Sequence, residues 1–262
     1  MNALSVILTL LLLLDLLLDT ALAYDYRIEV GANYEYLSPH RTYGDWRSGS
    51  VRFYHKCSSD FTYFLEGSFF SREKEGEAGL AVIGLYKDWS PWLYTYSSLS
   101  AGTTSSYLPK VRLDHEFYFK VGSEKNIVPS AGVTYIKYHD VHKDYIIYPG
   151  ITYYGKGFVI TYKYFLNKSQ PGSVRSSSNL ISLGIGQEGK SWTYLDVSYG
   201  KQAYLATYLT SPQEVRQNSF YTSLKHILWI RKDLAVSFGV SYFKLENGYK
   251  KYGFQAGFLK DF

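Results

Sequence analysis

Lys251-Tyr252-Gly253-Phe254-Gln255-Ala256-Gly257-Phe258-Leu259-Lys260-Asp261-Phe262 decides the fold. Tyr252, Phe254, Ala256, Phe258, Lys260 and Phe262 share one parity, while Lys251, Gly253, Gln255, Gly257 and Asp261 occupy the other and Leu259 is the exception. A period of two places the aromatic set on one face of a β-strand and the small or polar set on the other. An aromatic face on a terminal strand suits a transmembrane β-barrel, whose outer surface meets lipid. Tyr252, Phe254, Phe258 and Phe262 are therefore read as a C-terminal insertion signature.

The same alternation runs back along the chain. Segments 26–37, 46–57, 61–71, 78–88, 91–101, 109–120, 127–139, 145–155, 157–167, 177–187, 191–201, 216–228, 234–245 and 250–262 read as strands. That is about fourteen, in a range of roughly 12–16 because boundaries are the weakest part of such a reading. A strand tilted by about 45° needs roughly 9–11 residues to cross a bilayer. In 157–167, Phe158, Ile160, Tyr162, Tyr164 and Leu166 oppose Val159, Thr161, Lys163, Phe165 and Asn167. In 234–245, Leu234, Val236, Phe238, Val240 and Tyr242 oppose Ala235, Ser237, Gly239 and Ser241. The apolar sets are expected to face lipid and the others a lumen. The fold class is thus all-β, a single antiparallel transmembrane barrel.

Composition agrees. The 262 residues include 28 Tyr, 15 Phe and 5 Trp, and Tyr serves membrane–water interfaces and wet interiors because its ring is apolar and its tip polar. A slightly negative mean hydropathy argues against a helical membrane protein, whereas a barrel hides its apolar residues at alternate positions. Leu4 to Leu14 has the length of a signal-peptide core, and Ala21-Leu22-Ala23 matches a cleavage site. Residues 1–23 are expected to be a removed signal peptide and 24–262 the barrel domain. Asp15 and Asp19 interrupt the run, and no uncharged apolar stretch approaches the ~18 residues of a spanning helix. Without residues 1–23 the formal net charge rises from +5 to +7. The bases are scattered singly, so no nucleic-acid partner is expected. The lone Cys57 allows no internal disulfide or cysteine metal cluster and reads as a small lipid-facing or interfacial residue.

Connections alternate in length. Short ones fall at Gly155-Lys156, Glu188-Gly189-Lys190 and Arg231-Lys232-Asp233, and longer ones at 38–45, 102–108, 168–176 and 202–215. Outer-membrane barrels have short periplasmic turns and longer outer loops, and an even strand number puts both termini at the short-turn end.

The stretches Gly132-Val133-Thr134-Tyr135-Ile136-Lys137-Tyr138-His139-Asp140, Ile151-Thr152-Tyr153-Tyr154-Gly155 and Val159-Ile160-Thr161-Tyr162-Lys163-Tyr164 resemble the YaiO family of outer-membrane barrels. So do Ser178-Asn179-Leu180-Ile181-Ser182 and Leu195-Asp196-Val197-Ser198-Tyr199-Gly200, in an order that extends from residue 26 to Phe262. The resemblance implies a bacterial outer-membrane barrel and carries over no catalytic residues. Two departures stand out: Lys156-Gly157 follows Gly155 where the family pattern has Gly-Pro, and Lys260 takes an apolar position of the terminal strand. A lysine there can snorkel to the interface.

Gly184-Ile185-Gly186-Gln187-Glu188-Gly189 matches G-x-G-x-x-G, but a strand rather than a helix follows it, so the glycines read as strand and turn residues. His139-Asp140-Val141-His142-Lys143-Asp144 is the densest ionisable cluster; its two His and two Asp are of the types that bind a divalent metal or supply a base, but at an expected outer hairpin tip solvated charges need no ligand. For a lipid-modifying enzyme, His115 beside Glu116, or His139 with Ser130, are the groups to recruit; neighbours in a strand point to opposite faces, so His115 and Glu116 do not pair simply. Charges on the non-lipid face say more. Arg27, Glu29, Glu35, Arg52, Lys56, Glu66, Arg112, Asp114, Glu116, Lys163 and Asp196 are expected to line a lumen. Unpaired in a dry interior they are costly; in a wet one they set ion preference.

The leading expectation is a non-enzymatic barrel, a small pore or a structural protein, without cofactor or metal. The alternatives are a lipid-modifying outer-membrane enzyme and a surface-binding barrel acting through its loops. Expected partners are outer-membrane lipid, lipopolysaccharide and the barrel-insertion machinery, which would engage the C-terminal strand, with a monomer as the favoured state.

Overall fold

The computed structural model describes residues 25–201 and 218–262. The expected signal peptide and the 202–215 connection lie outside the described residues. Fourteen strands follow in order: β1 (Tyr26–Ser38), β2 (Asp45–Ser58), β3 (Phe61–Arg72), β4 (Gly76–Ser90), β5 (Leu93–Gly102), β6 (Val111–Phe119), β7 (Ile127–Lys137), β8 (Lys143–Gly155), β9 (Phe158–Gln170), β10 (Val174–Gln187), β11 (Ser191–Lys201), β12 (Asn218–Arg231), β13 (Leu234–Leu245) and β14 (Lys250–Asp261). One short helix, α1 (His40–Tyr43), interrupts the first long connection. Among the described residues no helix is long and apolar enough to cross a membrane; crossing is left to the strands.

Every strand pairs antiparallel with its sequence neighbours, and β1 also pairs with β14, which closes the sheet. Closure leaves no edge, so the backbone polar groups in a lipid-facing wall are satisfied by one another. Phe262 extends the final ladder: its amide donates to the Tyr26 carbonyl and its carbonyl accepts from the Tyr26 amide, both at 3.0 Å.

The register carries one alternation around the ring. Arg27 stands opposite Asp261 and Tyr54, Arg52 opposite Glu66, Asp114 opposite Ser98 and Thr134, and Asp196 opposite Ser182 and Ser223. One ion pair identifies which face is inside. Lys163 on β9 donates to Glu116 on β6 at 2.7 Å, although β7 and β8 stand between them in the sheet. Only a bond across the interior spans that gap. The opposite parity is apolar and outward, with Val51, Phe238 and Val240 about half exposed at 52%, 52% and 49%. Both sequence expectations for 157–167 and 234–245 have the correct faces outward.

The interior is asymmetric. Along β7 to β9, Ile136, Tyr138, Ile146, Tyr148 and Phe165 form a buried cluster against Leu180 of β10. The Tyr148 ring lies flat over Gly132, its register partner, where a Cβ would approach the ring to 2.3 Å. Phe64 covers Gly84 in the same way. These glycines give aromatic rings room to lie on the neighbouring strand instead of filling the centre.

At one end the connections are 59–60, 91–92, 120–126, 156–157, 188–190 and 232–233; the described connections at the other are 39–44, 73–75, 103–110, 138–142, 171–173 and 246–249. The expected long connection 168–176 is therefore a correction. β9 and β10 run on past the apolar band and close in a three-residue turn, with Gly172 and Ser173 at φ +91° and +54°.

Candidate functional site: the charged lumen

All eleven expected lumen charges lie on the inward parity. The structure pairs six of them with one another. Arg52 Nε donates to Glu66 at 2.5 Å, and Ser68 donates to the other Glu66 oxygen at 2.8 Å. Arg112 grips Asp114 with two bonds of 2.8 Å, and Asp114 also accepts from Thr134 at 2.6 Å and Ser98 at 3.1 Å. Lys163 meets Glu116 and lies 5.1 Å above the Tyr148 ring. Such extra donors are what buried charges require to offset desolvation.

Three others find partners that the sequence reading did not name. Arg27 donates to both Asp261 oxygens, at 2.6 and 3.1 Å, and to Glu188 at 3.2 Å, riveting the first strand to the last. Glu35 binds Lys251 at 2.6 Å, and Lys251 is only 1% exposed. Asp196 accepts from Ser182 at 2.5 Å and Ser223 at 3.1 Å, with hydroxyls in place of a cation. Lys251 and Asp261 sit on the polar parity of the terminal strand, so the alternation already marked them as inward. Lys56 and Glu29 have no hydrogen-bond or ion-pair partner among the described residues.

A cavity of about 370 Å³ occupies the wall opposite the packed cluster, between β12, β13, β14, β1, β2 and β3. Glu29, Glu35, Arg52, Glu66, Lys225 and Gln255 line it. Lys225, also missed from sequence, has no hydrogen-bond or ion-pair partner among the described residues. At the long-loop end Trp46 and Arg72 border the cavity. The Arg72 guanidinium is sandwiched 3.7 Å from the Trp46 ring and 4.0 Å from the Tyr107 ring, and it binds Glu75 at 2.6 Å. Tyr249 packs on Tyr43 of α1, Trp46 and Phe243 with ring centroids 4.9, 5.5 and 5.6 Å apart. Burial raises the Tyr249 hydroxyl well above the ordinary tyrosine pKa. Through Trp46 and Arg72 this aromatic and cationic cluster reaches the long-loop end of the cavity.

The other candidates disperse. His139 lies 3.2 Å from the Gly102 carbonyl and His142 2.6 Å from Asp140, while Asp144 turns inward to accept from Tyr138 at 3.0 Å and from Ser169. His115 faces outward against Ser97 at 2.7 Å, and Glu116 faces inward, so those neighbours separate as expected. Ser130 is buried on β7 among the inward residues and is not brought to His139. Gly186 and Gly189 serve the end of β10 and its tight turn, with φ of +156° and +78°, and a strand follows. His40, Asp45 and Glu73 gather at the long-loop end, but Lys74 already binds Glu73 at 3.1 Å and, as the main cause, holds its carboxyl below the ordinary range. Cys57 is exposed near the short-turn end, its Sγ 3.6 Å from His55 Nδ1.

Residues 25–205 match the family described as YaiO membrane beta barrel domain. The chain belongs to the YaiO family. The matched span stops short of β12 to β14, although the resemblance read from sequence ran on to Phe262. This YaiO-family barrel has no match among curated proteins. Its architecture is similar to that of solved outer-membrane barrels. The CymD monoaromatic hydrocarbon channel aligns with TM-score 0.62 and 8% identity, over 92% of this chain and 89% of that one. An anion-selective porin from Comamonas acidovorans aligns with TM-score 0.51 and 8% identity, over 92% and 99%. The Acinetobacter baumannii outer membrane protein Omp33 aligns with TM-score 0.51 and 12% identity, over 90% and 98%. At these identities the likeness is one of fold. The YaiO-family chain is thus a barrel of the bacterial outer membrane.

Proposed function

We propose that this protein is a narrow passive pore, conducting small ions or solutes along the hollow wall of its barrel. The carrying observation is the cavity, with charges on its lining and a packed aromatic cluster across from it. A solvated conduit tolerates Glu29 and Lys225 without partners, whereas a dry one would not. Paired charges of both signs leave little net field along the lining, so selectivity is weak. The wall glycines and serines (Gly31, Ser48, Ser50, Ser237, Ser241 and Gly253) keep the passage open. The described long-end connections are short, which disfavours capture of a large ligand by the loops. A lipid-modifying enzyme needs a base oriented by an acid; no carboxylate is bonded to the outward Ser97–His115 pair among the described residues.

Planar-bilayer recording tests the reading. The refolded barrel is expected to give small, reproducible conductance steps with a reversal potential near zero in a salt gradient. Trp46→Ala, which removes the ring at the long-loop end of the cavity, should enlarge the steps. Lys225→Glu should move the reversal potential towards cation preference without changing heat-modifiable gel migration. A silent bilayer with both the native chain and Trp46→Ala would refute the pore.

A further inference from the structure

The outward faces of β7 to β10 end, at the long-loop side, in four cations that the folded chain does not neutralise. Lys137 on β7 is the register partner of Lys143 on β8, and Lys168 on β9 is the register partner of Arg175 on β10. Tyr145 stands opposite Lys168 and links the two pairs. Like charges directly opposite in a ladder are unfavourable. Here two such pairs lie diagonally, offset by two residues across the β8–β9 ladder, where Lys143 faces Gln170, and none of the four has a hydrogen-bond or ion-pair partner among the described residues. No outward position at this end of β7 to β10 carries a carboxylate. Of the nearby acids, Asp144 is turned inward and held by Tyr138 and Ser169, and Asp140 in the turn between β7 and β8 is engaged by His142. At the opposite end several cations are paired with carboxylates. There Lys87 binds Asp60, Lys120 binds Asp88, and both Arg231 and Lys260 bind Asp233. The two turn carboxyls, Asp60 and Asp233, sit below the ordinary range chiefly through their lysine hydrogen bonds.

The position explains what the cations await. Below Lys137, Lys143 and Lys168 along their outward rows lie Tyr135, Tyr145 with Ile147, and Leu166, the aromatic and apolar band that meets acyl chains, while the row below Arg175 passes Ser177 and Asn179 before it reaches Ile181. The patch therefore stands at headgroup level on the long-loop side, which faces the outer leaflet in such barrels. We propose that Lys137, Lys143, Lys168 and Arg175 form a binding site for the phosphates of a phosphorylated, acylated saccharide lipid of the outer leaflet. Lysine ammoniums meet a phosphate as point charges, and the Arg175 guanidinium can grip one with two parallel bonds. The acyl chains lie along the apolar band beneath. Anion binding removes the repulsion that the empty ladder leaves in place.

The test uses the full barrel, refolded in detergent, with a diphosphorylated acylated disaccharide lipid as probe. Native mass spectrometry is expected to show retained lipid on the wild type. The variant K137Q/K143Q/K168Q/R175Q should lose retention at least about tenfold, equivalent to about 1.4 kcal/mol. Lipid stripped of its phosphates should bind the wild type no better than intact lipid binds the variant. Millimolar inorganic phosphate should leave retention unchanged. The thermal midpoint of heat-modifiable migration gives a second readout: in lipid-free detergent Lys143→Gln should equal or exceed the wild type, and added lipid should raise the wild type more than the quadruple variant. K156Q/K190Q, at the opposite end, should retain lipid as the wild type does. Equal retention by the folded quadruple variant, or displacement by inorganic phosphate, would overturn the proposal.

Discussion

Lys163→Met is expected to destabilise the barrel by about 3–5 kcal/mol, because it leaves Glu116 buried without its cation. Glu116 is 2% exposed and inward, beneath the aromatic cluster of β7 to β9. Its carboxylate is then left in the packed wall without a counter-charge, which costs free energy. The double substitution Lys163→Met with Glu116→Leu should recover most of the loss, since replacing both members of a buried pair by apolar residues is often neutral or better. Urea titration in lipid vesicles, followed by tryptophan fluorescence, gives the four stabilities of the cycle. A single variant as stable as the wild type would mean that the pair is well hydrated, and that the supposedly packed wall is wet.

Val240→Arg should cost about 2–4 kcal/mol in the same assay, the usual cost of a cation at the midplane of a barrel's lipid face. Val240 is outward, near the middle of β13, opposite Leu224 and Phe254. The inward neighbour provides the control. Ser241→Arg places the same charge among Glu35, Gln255 and the cavity, where water and a carboxylate offset it. If both substitutions cost the same, the two faces have been assigned the wrong way round.

Much of this arrangement was legible in the residues. A period of two survives tilt and twist, so Phe158, Ile160 and Tyr162 share a face legibly without any knowledge of neighbours, and the aromatic terminal strand, the signal-like leader and the lack of helices to cover a sheet turn that face to lipid. Charged inward residues such as Arg52 and Asp114 broke the pattern that a soluble sheet would show. Partner identity was not legible, because it depends on register across strands far apart in sequence. Lys163 and Glu116 meet only because the sheet curls through β7 and β8. The split between hollow and packed walls was hidden for the same reason: Gly132 and Gly84 look like weak strand residues until the Tyr148 and Phe64 rings are seen lying on them. The polar run 168–176 read as a loop because strand ends beyond the bilayer no longer need apolar outward residues. Lys168 and Arg175 keep the alternation while losing its hydrophobic signal.

The rivet between Arg27 and Asp261 joins side chains 234 positions apart. Loop-closure entropy makes such a contact late in assembly. Until it forms, β1 and β14 both offer bare hydrogen-bonding margins to any passing chain. The β1–β14 seam is thus where the ring shuts, and Arg27→Ala should leave the hairpins intact while slowing the appearance of the heat-modifiable folded band during refolding.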